Sequence, residues 1–104
     1  MKYEFRYDQR LGIEVPVLHE DWETLTEFER ADLLQKWEGI RGRIPERIFE
    51  LERSIIAKQN RLETEEHFPS SCRLNSEIAE LASCITDLHL WFRSGQDLSV
   101  KGHD

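Results

Sequence analysis

The sequence predicts a mainly α fold: a three-helix arrangement dominated by a long antiparallel helical hairpin, with an N-terminal extended arm or small β-hairpin. Three observations predict it. Leu74, Ile78, Leu81, Ile85, Leu88 and Phe92 recur at alternating gaps of four and three, which sets all six on one stripe of an α-helix. Ile44, Ile48, Leu51, Ile55 and Leu62 form an earlier stripe that answers it, and two such helices joined by a short loop close on each other. The first residues follow a different period. Tyr3, Phe5 and Tyr7 alternate with Lys2, Glu4 and Arg6, the pattern of a strand with one covered face.

The elements follow in order along a chain read as one domain, residues 1–104. Residues 1–18 are the arm. Ile13, Val15 and Val17 alternate as a second strand, Asp8-Gln9-Arg10-Leu11-Gly12 makes the turn, and Pro16 confines that strand to an edge. A lone hairpin is marginal in water, so it must lie on the helices. The first helix is expected over 26–41. Thr26 and Glu29 stand at capping-box spacing, and Phe28, Leu33, Leu34, Trp37 and Ile40 form its apolar face. Gly39 and Gly42 loosen its end, and Pro45 forbids an unbroken continuation.

The second helix is expected over 45–66, with Pro45 at its first position and Glu46 in its first turn. His67 to Ser71 form the loop. The third helix is expected over 72–94, capped by Ser71 or Asn75 and stopped by Gly95, and 95–104 is the tail. A turn about residue 69 or 70 brings Leu62 near Ile78, Ile55 near Ile85, Ile48 near Phe92 and Arg53 near Asp87. At a rise of about 1.5 Å per residue the second helix outreaches the first, so the hairpin tip is expected to protrude. Phe49, Trp91 and Phe92 gather at its base, where the first helix and the arm can cover them. Ala79, Ala82, Ser83 and Thr86 leave a shallow groove that either the first helix or a second copy fills.

Composition bounds the function. The chain of 104 residues holds 14 Lys and Arg against 21 Asp and Glu, a net charge of −7, and no basic half. That excludes the electrostatics of nucleic-acid binding and of an anionic membrane surface. No apolar run approaches the roughly 20 residues of a membrane span. The charged, alternating start is unlike a signal peptide. Cys72 and Cys84 are about 18 Å apart along one helix, beyond disulfide reach. All three suggest a cytoplasmic protein with reduced thiols, Cys84 half-buried beside the seam.

The parts for catalysis are missing. Glu63-x-x-Glu66 and Glu77-x-x-Glu80 are acidic pairs on facing helices, spaced as a divalent-metal site in a bundle would need. They resemble the E-x-x-E and E-x-x-D helices of all-α nucleotide pyrophosphohydrolases, but the second pair departs from that pattern and both crowd the tip. The residues three before His19, His67, His89 and His103 are Pro16, Thr64, Thr86 and Val100, so no di-iron Glu-x-x-His motif exists. His67 and Cys72 are half a zinc site without the other half. There is no nucleophile motif and no phosphate loop. The expectation is a chain without enzymatic activity, cofactor or metal, with His89 and the tryptophans Trp22, Trp37 and Trp91 serving structure.

Two clusters remain as candidate sites. Lys58 interrupts the apolar seam, either snorkelling or setting register and partner choice. With Leu62, Ile78 and Leu81 it marks the expected contact surface of a protein-interaction module that self-associates, as a homodimer, or grips another protein. Arg41, Arg43 and Arg47 surround the start of the second helix, where converging guanidiniums would bind a phosphate or carboxylate, as in an anion or nucleotide sensor. The competing account pairs them with acids such as Glu38 or Asp97.

Overall fold

The structure, a computed structural model, describes the backbone of residues 2–101 and the side chains of residues 2–94. Strand β1 (Tyr3–Asp8) pairs antiparallel with β2 (Ile13–Leu18), in a register that sets Phe5 opposite Pro16 and Asp8 opposite Ile13. The turn is closed by Gly12 N–H donating to the Asp8 carbonyl at 2.7 Å and Leu11 N–H donating to the Asp8 carboxylate at 2.9 Å. Gly12 has φ +75°, which glycine reaches without the cost a Cβ would bring.

A short 3-10 turn (Trp22–Thr24) leads into α1 (Glu27–Arg41). Both halves of the capping box form. Glu29 N–H donates to Thr26 Oγ1 at 3.1 Å, and Thr26 N–H donates to Glu29 Oε1 at 2.8 Å. Helix α2 (Ile44–Thr64) follows almost at once, because Gly42 and Arg43 keep right-handed helical angles. Pro45 has no N–H for the Arg41 carbonyl, so the path bends here. Together α1 and α2 make one long bent helix, against which α3 (Phe68–Lys101) packs as the returning arm of the hairpin.

The boundaries differ from expectation at both ends of α3. Its start at Phe68 precedes the expected residue 72 because Pro69 sits inside the first turn rather than in the loop, the same placement Pro45 has in α2. The connection shrinks to residues 65–67, held by His67 N–H donating to Glu65 Oε1 at 3.0 Å and Ser71 N–H donating to the His67 carbonyl at 3.0 Å. The hairpin therefore turns about residue 66, and the register moves inward from that expected. Gly95 does not stop the helix, which continues to Lys101. One glycine costs a helix only about 1 kcal/mol relative to alanine. Residues 102–104 of the expected tail lie outside the described residues.

Two apolar clusters hold the molecule together. The main one joins Leu11, Ile13, Trp37, Ile44, Ile48, Leu51, Cys84 and Leu88, with Leu81, Ile85, Trp91 and Phe92 packed against it. Trp37 and Trp91 meet edge to face, their centroids 5.5 Å apart. Burying each large aliphatic side chain fully is worth about 1.5–3 kcal/mol. Turn residue Leu11 is thus a core residue. A second cluster of Tyr3, Leu25 and Leu33 seats the sheet on α1. Phe28 and Phe49, expected on covered faces, are instead exposed at 82% and 61%. Phe28 lies in the first turn of α1. Arg53 covers one face of Phe49 at 5.5 Å rather than meeting Asp87. Cys84 is fully buried rather than half-buried, and Cys72 is exposed. His89, expected to serve structure, is exposed.

The molecule is long and thin, 59 × 21 × 19 Å. All the buried residues of α2 lie between Ile44 and Leu51. From Leu51 to Thr64 the hairpin rises about 20 Å further, with two helices and no third layer among the described residues.

Candidate interaction site

That outer stretch carries three of the four expected contact residues. Lys58, Leu62 and Ile78 are half-buried along the seam, and Leu81 marks its inner margin, where it packs against the main core. Lys58 resolves the apolar seam by ion pairing: its ammonium donates to Glu77 Oε1 across the helices at 3.4 Å. The stem is covered and the charge reaches the edge, as snorkelling lysines do. Leu74, only 3% exposed, closes the seam near the tip.

The outer faces hold apolar residues that helical periodicity does not single out. Phe49 and Ile56 are seven residues apart on α2, hence on one face, and stand 61% and 55% exposed. Phe68 opens α3 at 77% exposure, and Ala79, Ala82 and Thr86 are also exposed. Among the described residues, helix α1 meets α3 near the base, at Trp37 with Trp91 and Arg41 with Phe92, and Ala79, Ala82 and Thr86 of the small-residue groove stay exposed. The signal for Phe49 and Ile56 was their position off the stripe of Ile48, Leu51 and Ile55.

The three arginines do not meet at one point. Arg41 turns back along α1, donating to both oxygens of Glu38 at 3.0 and 2.6 Å and to the Phe92 carbonyl at 3.3 Å. Its guanidinium holds the Glu38 carboxyl below its ordinary value. Arg47 crosses to the sheet turn, donating to the Leu11 carbonyl at 2.8 Å and to Glu50 at 3.1 Å. Arg43 stays exposed and shares with Arg47 a cleft of about 370 Å³ between the turn and α2. Glu14, Glu46 and Glu50 line the same cleft, so three carboxylates oppose two guanidiniums, one of them already bonded. Glu38 was an expected partner of this cluster; the side chain of Asp97, the other, lies outside the described residues.

A fourth arginine, which reads in the sequence only as a turn residue, makes the densest polar contact. Arg10 reaches from the turn to α3, donating to Glu80 at 2.8 Å, Asp87 at 2.7 Å and Ser83 Oγ at 3.0 Å. With Glu77 on Lys58 and Glu80 on Arg10, the second acidic pair of the hairpin is spent on ion pairs with different elements. Among the described residues no three His, Cys, Asp or Glu side chains come together to hold a metal ion. His67 bonds its loop neighbour Ser70 at 2.9 Å. Among the described residues no helix is long and apolar enough to cross a membrane. Compared with protein-family models, curated proteins and solved structures, the chain matches none.

Proposed function

We propose that this chain is a non-enzymatic protein-interaction module that grips a helical segment of a partner along the outer half of its hairpin. One observation carries the reading: beyond Leu51 and Leu81 the α2–α3 seam has no third layer among the described residues, so Lys58, Leu62 and Ile78 stay half-buried. Helices bury an apolar stripe against a neighbour, and a two-helix stretch leaves part of each stripe wet. A third helix lying in that groove meets apolar anchors at i, i+3 and i+7 spacing. The small residues Ala79 and Ala82 let its backbone approach closely.

The reading is tested by comparing what tagged parent protein and a Leu62→Asp/Ile78→Asp variant retain from the same cell extract. Both substitutions lie outside the main core, and a thermal melt of the variant checks that the hairpin stays folded. A polypeptide held by the parent and lost by the variant supports the surface. An unchanged set of retained polypeptides removes it. An anion sensor at Arg43 and Arg47 is the weaker alternative, since carboxylates outnumber guanidiniums in that cleft.

A further inference from the structure

The sheet has two strands, so β1 keeps one edge that β2 does not pair, even though its Tyr3 side chain is bonded to Asp32 of α1. The direction of its backbone groups follows from the ladder. His19 N–H donates to the Lys2 carbonyl at 2.8 Å, so residues 2 and 19 are a hydrogen-bonded pair. Such pairs alternate along an antiparallel ladder. In the observed register, Glu4 with Val17, Arg6 with Val15 and Asp8 with Ile13 are then also bonded pairs. Pro16, which has no N–H to give, falls opposite Phe5 at a non-bonded pair, as this phase requires. The N–H and C=O groups of Tyr3, Phe5 and Tyr7 therefore point away from β2. Among the described residues none of them has a hydrogen-bond partner.

The two outer edges differ. The edge of β2 is interrupted at its centre by Pro16, whereas that of β1 is continuous, with neither proline nor bulge. Natural proteins block open edges with proline, bulges or charge of one sign. The charges of β1 alternate instead: Lys2, Glu4, Arg6 and Asp8 share one face.

We propose that two copies of the chain associate through this edge, antiparallel about a two-fold axis at Phe5, to make one four-stranded sheet. In that register the outward pairs are Phe5 with Phe5 of the second copy and Tyr3 with its Tyr7. The facing side chains are then Glu4 with Arg6 of the second copy and Lys2 with its Asp8, each pair occurring twice. All four are opposite in charge. Sliding the strands by one step of the ladder sets Glu4 against Glu4 and Lys2 against Arg6, or Arg6 against Arg6 and Glu4 against Asp8. The neighbouring registers are thus repulsive, and one register is singled out. Within one chain Arg6 bonds Glu4 at 2.7 Å, Glu4 also meets His19 at 3.0 Å, and Lys2 meets Glu29 at 3.2 Å. The Arg6 and Glu4 side chains are 61% and 43% exposed, free to swing onto the facing strand. The contact is isologous and closes as a dimer, which leaves both hairpin tips free for the partner proposed above.

Sedimentation equilibrium over a wide concentration range tests this on the parent, Glu4→Arg, Arg6→Glu, and an equal mixture of the two variants. The parent should be dimeric. Each single variant places like charges opposite each other twice and should weaken association by roughly tenfold or more. The mixture should restore a dimer, since the first variant carries two cations where the second carries two anions. Restoration cannot come from the Glu4–Arg6 pair within a chain, which neither variant has. A monomeric parent, single variants that dimerise like the parent, or a mixture that stays monomeric would each overturn the proposal. A dimer abolished by Leu62→Asp/Ile78→Asp but untouched by Glu4→Arg would place self-association on the hairpin instead.

Discussion

The phenol of Tyr3 donates to the carboxylate of Asp32 at 2.5 Å, tying the first strand to the middle of α1. The bond acts on both partners. It is the main reason the Asp32 carboxyl lies below its ordinary value, with Lys36 adding to the effect. It also pushes the Tyr3 phenol up to about 12, helped by burial. Folding thus favours an ionised Asp32 and a neutral Tyr3. The first contribution is present above the ordinary carboxylate value of 3.8 and is lost as pH falls through the lower folded value. The second is present below pH 10 and is lost as pH rises through about 12. Tyr3→Phe should be less stable than the parent at neutral pH, with the gap closing at the acid and alkaline ends. Urea unfolding of both proteins across a pH series measures it, and a gap independent of pH would deny the bond its role.

Stability should be graded along the hairpin. Leu88 is fully buried where α3 crosses the sheet turn, whereas Leu62 is half-buried in the two-layered tip. Leu88→Ala should cost about 2–5 kcal/mol, as truncations in closed cores do. Leu62→Ala should cost about 1 kcal/mol, because less area is lost and water already reaches the site. Denaturant melts of the two variants give the comparison. Amides of α2 beyond Leu51 should also exchange with solvent through local opening, and those from Ile44 to Leu51 only through global unfolding.

Gly12 holds two geometries at once. Its φ of +75° is one that a side chain strains, and a Cβ there would lie 2.5 Å from Arg47 Nε. That nitrogen is the one donating to the Leu11 carbonyl. Gly12→Ala should therefore cost about 1–2 kcal/mol through the backbone conformation, and should loosen Arg47 as well. In the Gly12→Ala background, Arg47→Ala should add less than it does alone. A double-mutant cycle reads this coupling, and strict additivity would show the two residues to be independent.

The helices and the strand hairpin were legible because their periods differ, 3.6 against 2, and because Thr26 and Glu29 stand at capping spacing. The start of α3 was legible in principle: Pro69 obeys the rule that places Pro45, but His67 and the serines around it read as a loop. What covers the base was not legible. Leu11 looks like a turn residue until the turn lies on Ile44 and Leu88, and Arg10 finds Glu80 and Asp87 only once the chain has returned. The same holds for the arginines near α2. Arg41 and Arg47 lie six apart, yet the bend sends one to Phe92 and the other to the sheet. For Lys58 the place on the stripe pointed to a snorkelling stem, but its partner Glu77 on the facing helix became visible only in the structure.

The two cysteines should differ sharply in chemistry. Cys72 is exposed, whereas Cys84 is 2% exposed beneath the sheet turn, its Sγ donating to the Arg10 carbonyl at 3.2 Å. Burial pushes the Cys84 thiol up, against the opposing pull of Arg10 and Arg47. The thiolate is the reactive form, so Cys84 is protected both by access and by protonation. In native protein a disulfide reagent should titrate one thiol rapidly and the second only at the rate of opening. In Cys72→Ser the fast phase should vanish. A raised thiol pKa also makes folding favour the protonated form. Its contribution is full below the ordinary value of 9.0 and declines as pH rises through the higher folded value. The slow phase should therefore accelerate with alkaline pH as the sheet turn lifts from α3. If Arg10 clasps that turn through Glu80 and Asp87, then Arg10→Ala should speed the labelling of Cys84 and leave that of Cys72 unchanged. Equal labelling of Cys84 in parent and Arg10→Ala would show that the turn is held by its apolar contacts alone.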